Sequence, residues 1–372
     1  MKELCIKDIC KKDSSSLKQK ELKESGRYPV YGASGIAGYL DSYQRGESYI
    51  GIVKDGSGIG RVVFYPEKTS LIGTMQYILP KEGYDIRYIG YCLQSLDLSK
   101  YKQGAAIPHI YFRDYGERKV NVTDDLKEQQ RIVSRLDSAF AHIDELKANA
   151  EKQLSEARAL FQKALTKAME PKEGWKEKEL GDIVFYFSGY AFESKGYTNN
   201  NDDVLLICGD NIVHCDFRWE TIKHWPKEEY EDLKRFSLEE NDIVLAMDRP
   251  WVKSGLKIAK VSPKELPSLL IQRTACIRAP KDISSDFIFY SLQTDKYIKH
   301  LVSQQTGVGV PHISGKQILS YKISIPNFKE QQRIVSRLDS LSTHVRELEE
   351  VTQKTIAECD ALKQALLRKV FE

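Results

Sequence analysis

No charge of one sign prevails in this chain. Against 56 Lys and Arg stand 53 Asp and Glu, a net +3 over 372 residues. A strongly basic domain would point to nucleic acid outright; here a polyanion would have to be met by local patches or by basic partners. The seven cysteines are odd in number and include no CxxC pair, which fits a reduced, intracellular protein better than a disulfide framework. Cys208, His214 and Cys215 lie close in sequence, but not at zinc-ligand spacing. No apolar run approaches the roughly 18 residues of a membrane span, and no signal peptide opens the chain. The expected location is the cytoplasm, with no membrane partner.

Catalytic signatures are missing as well. No Ser/His/Asp order, HExxH or metal-ligand pair stands out. A self-contained DNA methyltransferase or nuclease would need an S-adenosylmethionine glycine loop with an Asn/Asp-Pro-Pro-aromatic motif, or a metal-binding carboxylate cluster. The sequence offers neither. Lys54-Asp-Gly-Ser-Gly-Ile-Gly60 is glycine-rich, but it leads into the strand-like Arg61-Val-Val-Phe-Tyr65 and lacks a Lys-Ser/Thr ending. A phosphate-binding loop would open a helix. A hairpin turn that presents Lys54 and Arg61 to a phosphate backbone suits it better.

Glycine and proline are absent from two stretches of 44 residues, Lys127 to Glu170 and Lys329 to Glu372. Both open on the same twelve residues, Lys-Glu-Gln-Gln-Arg-Ile-Val-Ser-Arg-Leu-Asp-Ser, at 127–138 and again at 329–340. A period of 202 residues is far too long for a solenoid. It implies a tandem duplication of one large unit, a globular part followed by a long helix. Asp125 with Glu128, and Asn327 with Glu330, form capping boxes in the same phase. Leu136, Ile143, Leu146, Leu154 and Leu160, and Leu338, Val345, Leu348, Ile356 and Leu362, suggest an apolar seam on each helix. Each helix is the natural partner of the other, and connectivity makes the pair antiparallel.

The globular parts have gone separate ways. Residues 1–124 precede the first helix (125–170), and residues 171–326 precede the second (327–372). Strands are expected at Tyr49–Val53, Arg61–Tyr65, Val204–Cys208, Asp242–Ala246 and Leu269–Ile271, and helices at Asp85–Lys102 and Ser285–Gln304. A faint common skeleton survives. Ile52-Val-Lys-Asp55 resembles Leu245-Ala-Met-Asp248, and Ile107-Pro-His-Ile110 resembles Val310-Pro-His-Ile313. The expected fold is α+β: two α/β domains with β-rich cores, joined by two long antiparallel helices in a coiled coil, with a pseudo-twofold axis.

Gln129, Gln130, Arg131 and Arg135, repeated as Gln331, Gln332, Arg333 and Arg337, include several residues that must lie off the seam. Either the duplication is recent, or both copies bind the same partner. For nucleic-acid contact the candidates in the first part are Arg27, Tyr31, Ser34, Lys54, Ser57, Arg61, Lys102, Gln103 and His109. In the second they are Tyr190, Lys195, Arg218, Asp248, Arg249, Trp251, Lys253, Gln305 and His312. Met247-Asp-Arg-Pro-Trp-Val-Lys253 is the most suggestive stretch, because a loop directly after a strand can carry Asp, Arg, Trp and Lys to base edges and phosphates. His109 and His312 are equally readable as structural histidines in a turn.

The paired Lys-Glu-Gln-Gln-Arg-Ile-Val openings, each downstream of a Pro-His-Ile turn, resemble the specificity subunit of a type I restriction–modification system. So do Tyr28-Pro-Val-Tyr-Gly-Ala-Ser-Gly35 and Gly174-Trp-Lys-Glu-Lys-Glu-Leu-Gly-Asp182. The resemblance covers the whole chain. It implies a non-catalytic reader of double-stranded DNA, with two target-recognition domains for two halves of an asymmetric site and helices that set the spacing. It also implies two methyltransferase subunits and restriction (translocase) subunits as partners. S-adenosylmethionine, ATP and Mg would belong to those partners, with no cofactor on this chain. A scaffold that binds only proteins is the alternative that the helices permit.

Overall fold

The strand-forming runs assemble into the same topology twice. The computed structural model describes residues 1–104, 108–303 and 311–372. It divides into two compact units, Met1–Gln153 with Glu350–Glu372, and Leu154–Glu349.

In the first unit a four-stranded antiparallel sheet runs Cys10–Ser14, Met75–Pro80, Tyr49–Val53, Val62–Tyr65. A three-stranded sheet has Tyr28–Gly32 at its centre, antiparallel to Gly35–Leu40 and parallel to Ser70–Leu71. Lys2–Cys5 pairs with Lys119–Val122, directly before the long helix. The helix Ile86–Ser95 packs on the four-stranded sheet, burying Tyr88, Ile89, Cys92 and Leu93 against Ile50, Ile52 and Ile78. Its close approach needs Gly90, where a Cβ would meet the Phe64 ring at 2.1 Å. Asp85 caps this helix by accepting from the amides of Arg87 and Tyr88. The helix is shorter than its apolar stripe suggests. It ends at Ser95, and a separate 3-10 turn, Leu98–Tyr101, follows.

The second unit repeats this order. Its four-stranded sheet runs Phe185–Ser188, Thr274–Arg278, Ile243–Ala246, Ile258–Lys260. Both sheets therefore run first, fourth, second, third in chain order. Its three-stranded sheet again has the first strand, Val204–Ile207, antiparallel to the second, His224–Trp225, and parallel to the third, Ser268–Leu270. Lys176–Glu179 pairs with Lys322–Ile325 before the second long helix. The expected helix from Ser285 is two helices, Ser285–Ser291 and Asp295–Ser303, separated at Leu292-Gln-Thr294, where Thr294 Oγ1 accepts from the amide of Tyr297. A short hairpin, Trp251–Val252 with Gly255–Leu256, is an insertion of this unit alone.

The long helices are Leu126–Ala168 and Phe328–Phe371. Asp125 and Asn327 cap them, accepting from the amides of Lys127 and Glu330. In the first unit, Lys147 pairs with Asp360 and Lys363 with Asp144; in the second, Arg158 pairs with Glu349. In the first unit the helix segments therefore run antiparallel, 144 beside 363 and 147 beside 360.

Burial along the helices follows a strict three–four spacing. On the first helix the shielded line runs 136, 140, 143, 147, 150, 154, 157, 161, 164, 168; on the second it runs 338, 342, 345, 349, 352, 356, 359, 363, 366, 370. Leu136, Ile143 and Leu338 are buried on it, and Leu154, Val345 and Ile356 are half-buried. Leu146, Leu160 and Leu362 are not on the seam: they are 55%, 66% and 50% exposed. Each stands one residue before a seam position, about 100° around the helix at 3.6 residues per turn. Leu348, also one residue off, is half-buried. The places on these lines held by no large apolar residue carry small ones, Ala150, Ala157, Ala164, Ala168, Ser342, Thr352 and Cys359, or the ion-paired Lys147, Glu349 and Lys363.

The end of each helix completes a core. Leu367 and Phe371 are buried in the core of the first unit with Tyr88, Ile132 and Leu136. Leu165 is buried in the core of the second with Phe287, Ile334 and Leu338. Leu165 and Leu367 are equivalent at the repeat offset of 202.

Candidate nucleic-acid interface

In both units the loop that leaves the second strand of the four-stranded sheet is fastened to the Pro-His-Ile turn by the same set of bonds. In the first unit His109 Nδ1 bonds Asp55 Oδ1, the Ile110 amide donates to Lys54 O (3.0 Å), and the Gly56 amide donates to Pro108 O (3.2 Å). In the second, His312 Nδ1 bonds Asp248 Oδ1 at 2.5 Å, the Ile313 amide donates to Met247 O (2.9 Å), and the Arg249 amide donates to Pro311 O (2.9 Å). A carboxylate accepts, so each ring carries its proton on Nδ1.

Around the first of these, further loops converge. Gln103 and His109 exchange backbone hydrogen bonds, and Gln103 Nε2 donates to Asp114. The Arg61 guanidinium donates to Ala33 O, joining the glycine-rich loop to the turn that carries Ser34. Ser34, Lys54, Ser57, Arg61, Lys102, Gln103 and His109 therefore lie on connected loops, with Tyr31 in the strand that leads to the Ser34 turn and Ser34, Ser57, Arg61, Lys102 and Gln103 exposed. Arg27 does not join them. It precedes Tyr28, which pairs with Leu40 at the far end of the strand from the Gly32–Gly35 turn.

In the second unit Asp248 also faces Arg273, whose Nε lies 3.8 Å from Oδ2. Arg249 and Arg273 are both left-handed, at φ 44° and 66°, a conformation that costs a non-glycine residue energy and gathers at functional sites. Tyr190 is 38% exposed and accepts from the Gln272 amide, beside Arg273. Lys257 is buried beneath this edge. Burial pushes its pKa down, Asp210 opposes that, and Arg218 and Arg249 add to it. Arg218, Arg249, Lys257 and Arg273 thus make a basic edge with Asp248, Asp210 and Glu220 as its carboxylates.

Two sequence candidates of this unit, Trp251 and Lys195, fall elsewhere. Trp251 packs half-buried on the core, because its hairpin folds back over Leu256. Lys195 pairs with Glu193 in a turn beside Trp225. Gln305 lies outside the described residues. Lys253 is exposed in the hairpin turn. Arg273 and Asp55 were missed. The Asp55–Asp248 correspondence is readable in the sequence; Arg273 carries no local signal and is found only through its contact. Cys215 and His214 serve the fold: Cys215 Sγ donates to Gln293 Oε1, His214 Nδ1 bonds Leu256 O, and burial pushes the Cys215 thiol up to about 12.

The identical helix openings sort into two groups. Gln129 and Gln331 are buried, not offered to a partner. Gln129 accepts from the Asp85 amide and donates to Gly83 O and Thr123 O; Gln331 accepts from the Ser284 amide and donates to Pro326 O. Each ties the long helix to the cap of a helix in its own unit. Tyr91 and Tyr290 likewise donate to Asp137 and Asp339, and burial, foremost, raises both hydroxyl pKa values. Ile132, Val133 and Leu136 and their repeats are core. What remains exposed is Lys127, Gln130, Arg131, Ser134, Arg135 and Ser138, and the same six at 329, 332, 333, 336, 337 and 340. That spacing is one face of a helix. On it Glu128 grips Arg131 and Glu330 grips Arg333 through two nitrogens each, and these bonds, foremost, hold both carboxyls below the usual range.

The model of the type I restriction modification DNA specificity domain matches residues 1–156 and again 172–358. The chain belongs to this family. It is 26% identical over 337 residues to the MjaVIII specificity subunit of Methanocaldococcus jannaschii, a match covering 86% of this chain and 77% of that protein. It is 36% identical over 176 residues to the EcoAI specificity subunit of Escherichia coli, covering 47% of this chain but only 29% of that protein. A solved chain described under complex assembly and conformational transition of the type I R-M system shares the fold, with TM-score 0.73 and 16% identity over 99% of this chain and 97% of that one. No helix among the described residues is long and apolar enough to cross a membrane.

Proposed function

We propose that this chain reads a split, asymmetric site in double-stranded DNA, one half with each unit, and recruits the subunits that modify and cut it. The observation that carries the reading is duplication with selective divergence. Topology, histidine clasp, glutamine anchor and exposed helix face recur in both units, while the loops beside the clasp differ: Lys54-Asp-Gly-Ser57 in one, Met247-Asp-Arg-Pro250 in the other. Identical mounts suit identical partners, and different edges suit different base sequences. The boundaries 1–124, 125–170, 171–326 and 327–372 then divide two target-recognition domains from two spacers. The long helices would form an antiparallel coiled coil with pseudo-twofold symmetry that sets the distance between half-sites.

Two methyltransferase subunits would bind the repeated faces of Gln130, Arg131 and Arg135 and of Gln332, Arg333 and Arg337. Restriction subunits would join the complex. S-adenosylmethionine, ATP and Mg would be held by those partners, so that this chain contributes recognition and no catalysis in the cytoplasm. Arginine anchors many protein interfaces, and surface substitutions usually change stability by no more than about 0.5 kcal/mol. Arg131→Ala with Arg135→Ala should therefore remove one partner, Arg333→Ala with Arg337→Ala the other, and all four together both, from a folded protein. Native mass spectrometry counts them. Two partners retained by the quadruple variant would refute this interface.

A further inference from the structure

Where they leave the second strand of each four-stranded sheet, the loops Lys54-Asp-Gly-Ser57 and Met247-Asp-Arg-Pro250 share only the aspartate. Asp55 and Asp248 remain, and each meets a histidine from a distant turn through the same bonds, with the same isolated backbone bridge between the two residues. An aspartate that faced a phosphate would repel it, since like charges repel. Both carboxylates are turned aside: Asp55 onto His109, and Asp248 onto His312 and Arg273. Both histidines are about three-quarters covered, at 26% and 29% side-chain exposure.

We propose that His109 and His312 are positioning residues for DNA recognition. Each ring, through its Nδ1–H, holds the strand-end aspartate inward and so sets the path of the loop that carries the reading side chains. The specificity itself lies in the neighbours that differ, Lys54 and Ser57 in one unit, Arg249 and Arg273 in the other. Arg249 shows the consequence most clearly. Its amide is held by Pro311 O and its backbone is left-handed, so its side chain is aimed by the clasp. This inference rests on the reading that each unit recognises one half-site.

Asparagine distinguishes positioning from contact, because its Nδ2–H can replace the imidazole Nδ1–H, whereas the rest of the ring is lost. The full chain would be co-expressed with its methyltransferase subunit, and the methylated sites sequenced. His109→Ala is expected to blur one half-site, with discrimination lost by about tenfold at its positions, within the usual range for one mismatched base pair. His312→Ala should blur the other half only. His109→Asn and His312→Asn should restore both. Should His109→Ala fail to fold, Asp55→Ala is expected to blur the same half-site, and Asp55→Asn, which keeps the acceptor, to leave it sharp. Sharp sites in the alanine variants overturn the clasp. Asparagine variants as blurred as alanine overturn positioning in favour of direct contact by the ring. A wild-type pattern without two halves overturns the underlying reading instead, and is seen without any variant.

Discussion

Replacing Phe371 by alanine should unfold the first unit before the second, although Phe371 lies 246 positions beyond the cap residue Asp125. Its ring is fully buried, 5.1 Å from the Tyr88 ring, in a core that also holds Leu136 and Leu367. Truncating a buried Phe costs about 3–5 kcal/mol, the lost transfer energy plus the cavity left behind. Set against the roughly 5–15 kcal/mol that stabilises an ordinary domain, this is a large share. Leu165→Ala, at a fully buried site in the other core, should cost about 2–5 kcal/mol and strike the second unit. Leu362→Ala is the control. It removes a leucine that is 50% exposed, and a surface change of that kind moves stability by about 0.5 kcal/mol or less. Native-state hydrogen exchange, read separately on peptides from 1–125 and 171–327, assigns each loss to a unit. If Leu362→Ala proves as costly as Phe371→Ala, or if Phe371→Ala releases the second unit first, the account of core completion is wrong.

Gln331→Leu should cost about 1–3 kcal/mol, because it strands the Ser284 amide and the Pro326 carbonyl in a buried place; Gln129→Leu should behave alike. Exposed Gln130→Leu should be nearly neutral, and chemical denaturation compares the three. Adding one heptad to both long helices lengthens each by about 10 Å. Three base-pair steps of about 3.4 Å match that length, so the gap between half-sites in the methylated sequence should grow; an unchanged gap would make the helices a tether only.

Much of this was legible in the sequence, and the failures have physical causes. The duplication, the helices and their caps were plain, because twelve identical residues and the absence of Gly and Pro leave little ambiguity. The seam was half right. Leu146, Leu160 and Leu362 have the side chains of seam residues but face outward, whereas Ala150, Ala157, Thr352 and Cys359 are shielded, because close helix packing favours small side chains that hydropathy does not mark. Gln129 and Gln331 look like surface residues; only the fold shows that their amides cap the backbone of another helix. At the candidate interface, His109 and His312 are legible as a repeated Pro-His-Ile turn, but their bonding is not. Their partner aspartates lie 54 and 64 positions away in sequence, so only the fold brings each pair together. Trp251 looked like a reading residue because aromatic rings suit both base contacts and cores, and composition alone does not separate the two.

Exchange of residues 1–124 for the corresponding segment of another specificity subunit tests the central claim most directly. The chimera, expressed with the methyltransferase subunit, should methylate a site in which one half is new while the other half and the gap are unchanged. A site altered in both halves, or in neither, would contradict the assignment of one half-site to each unit.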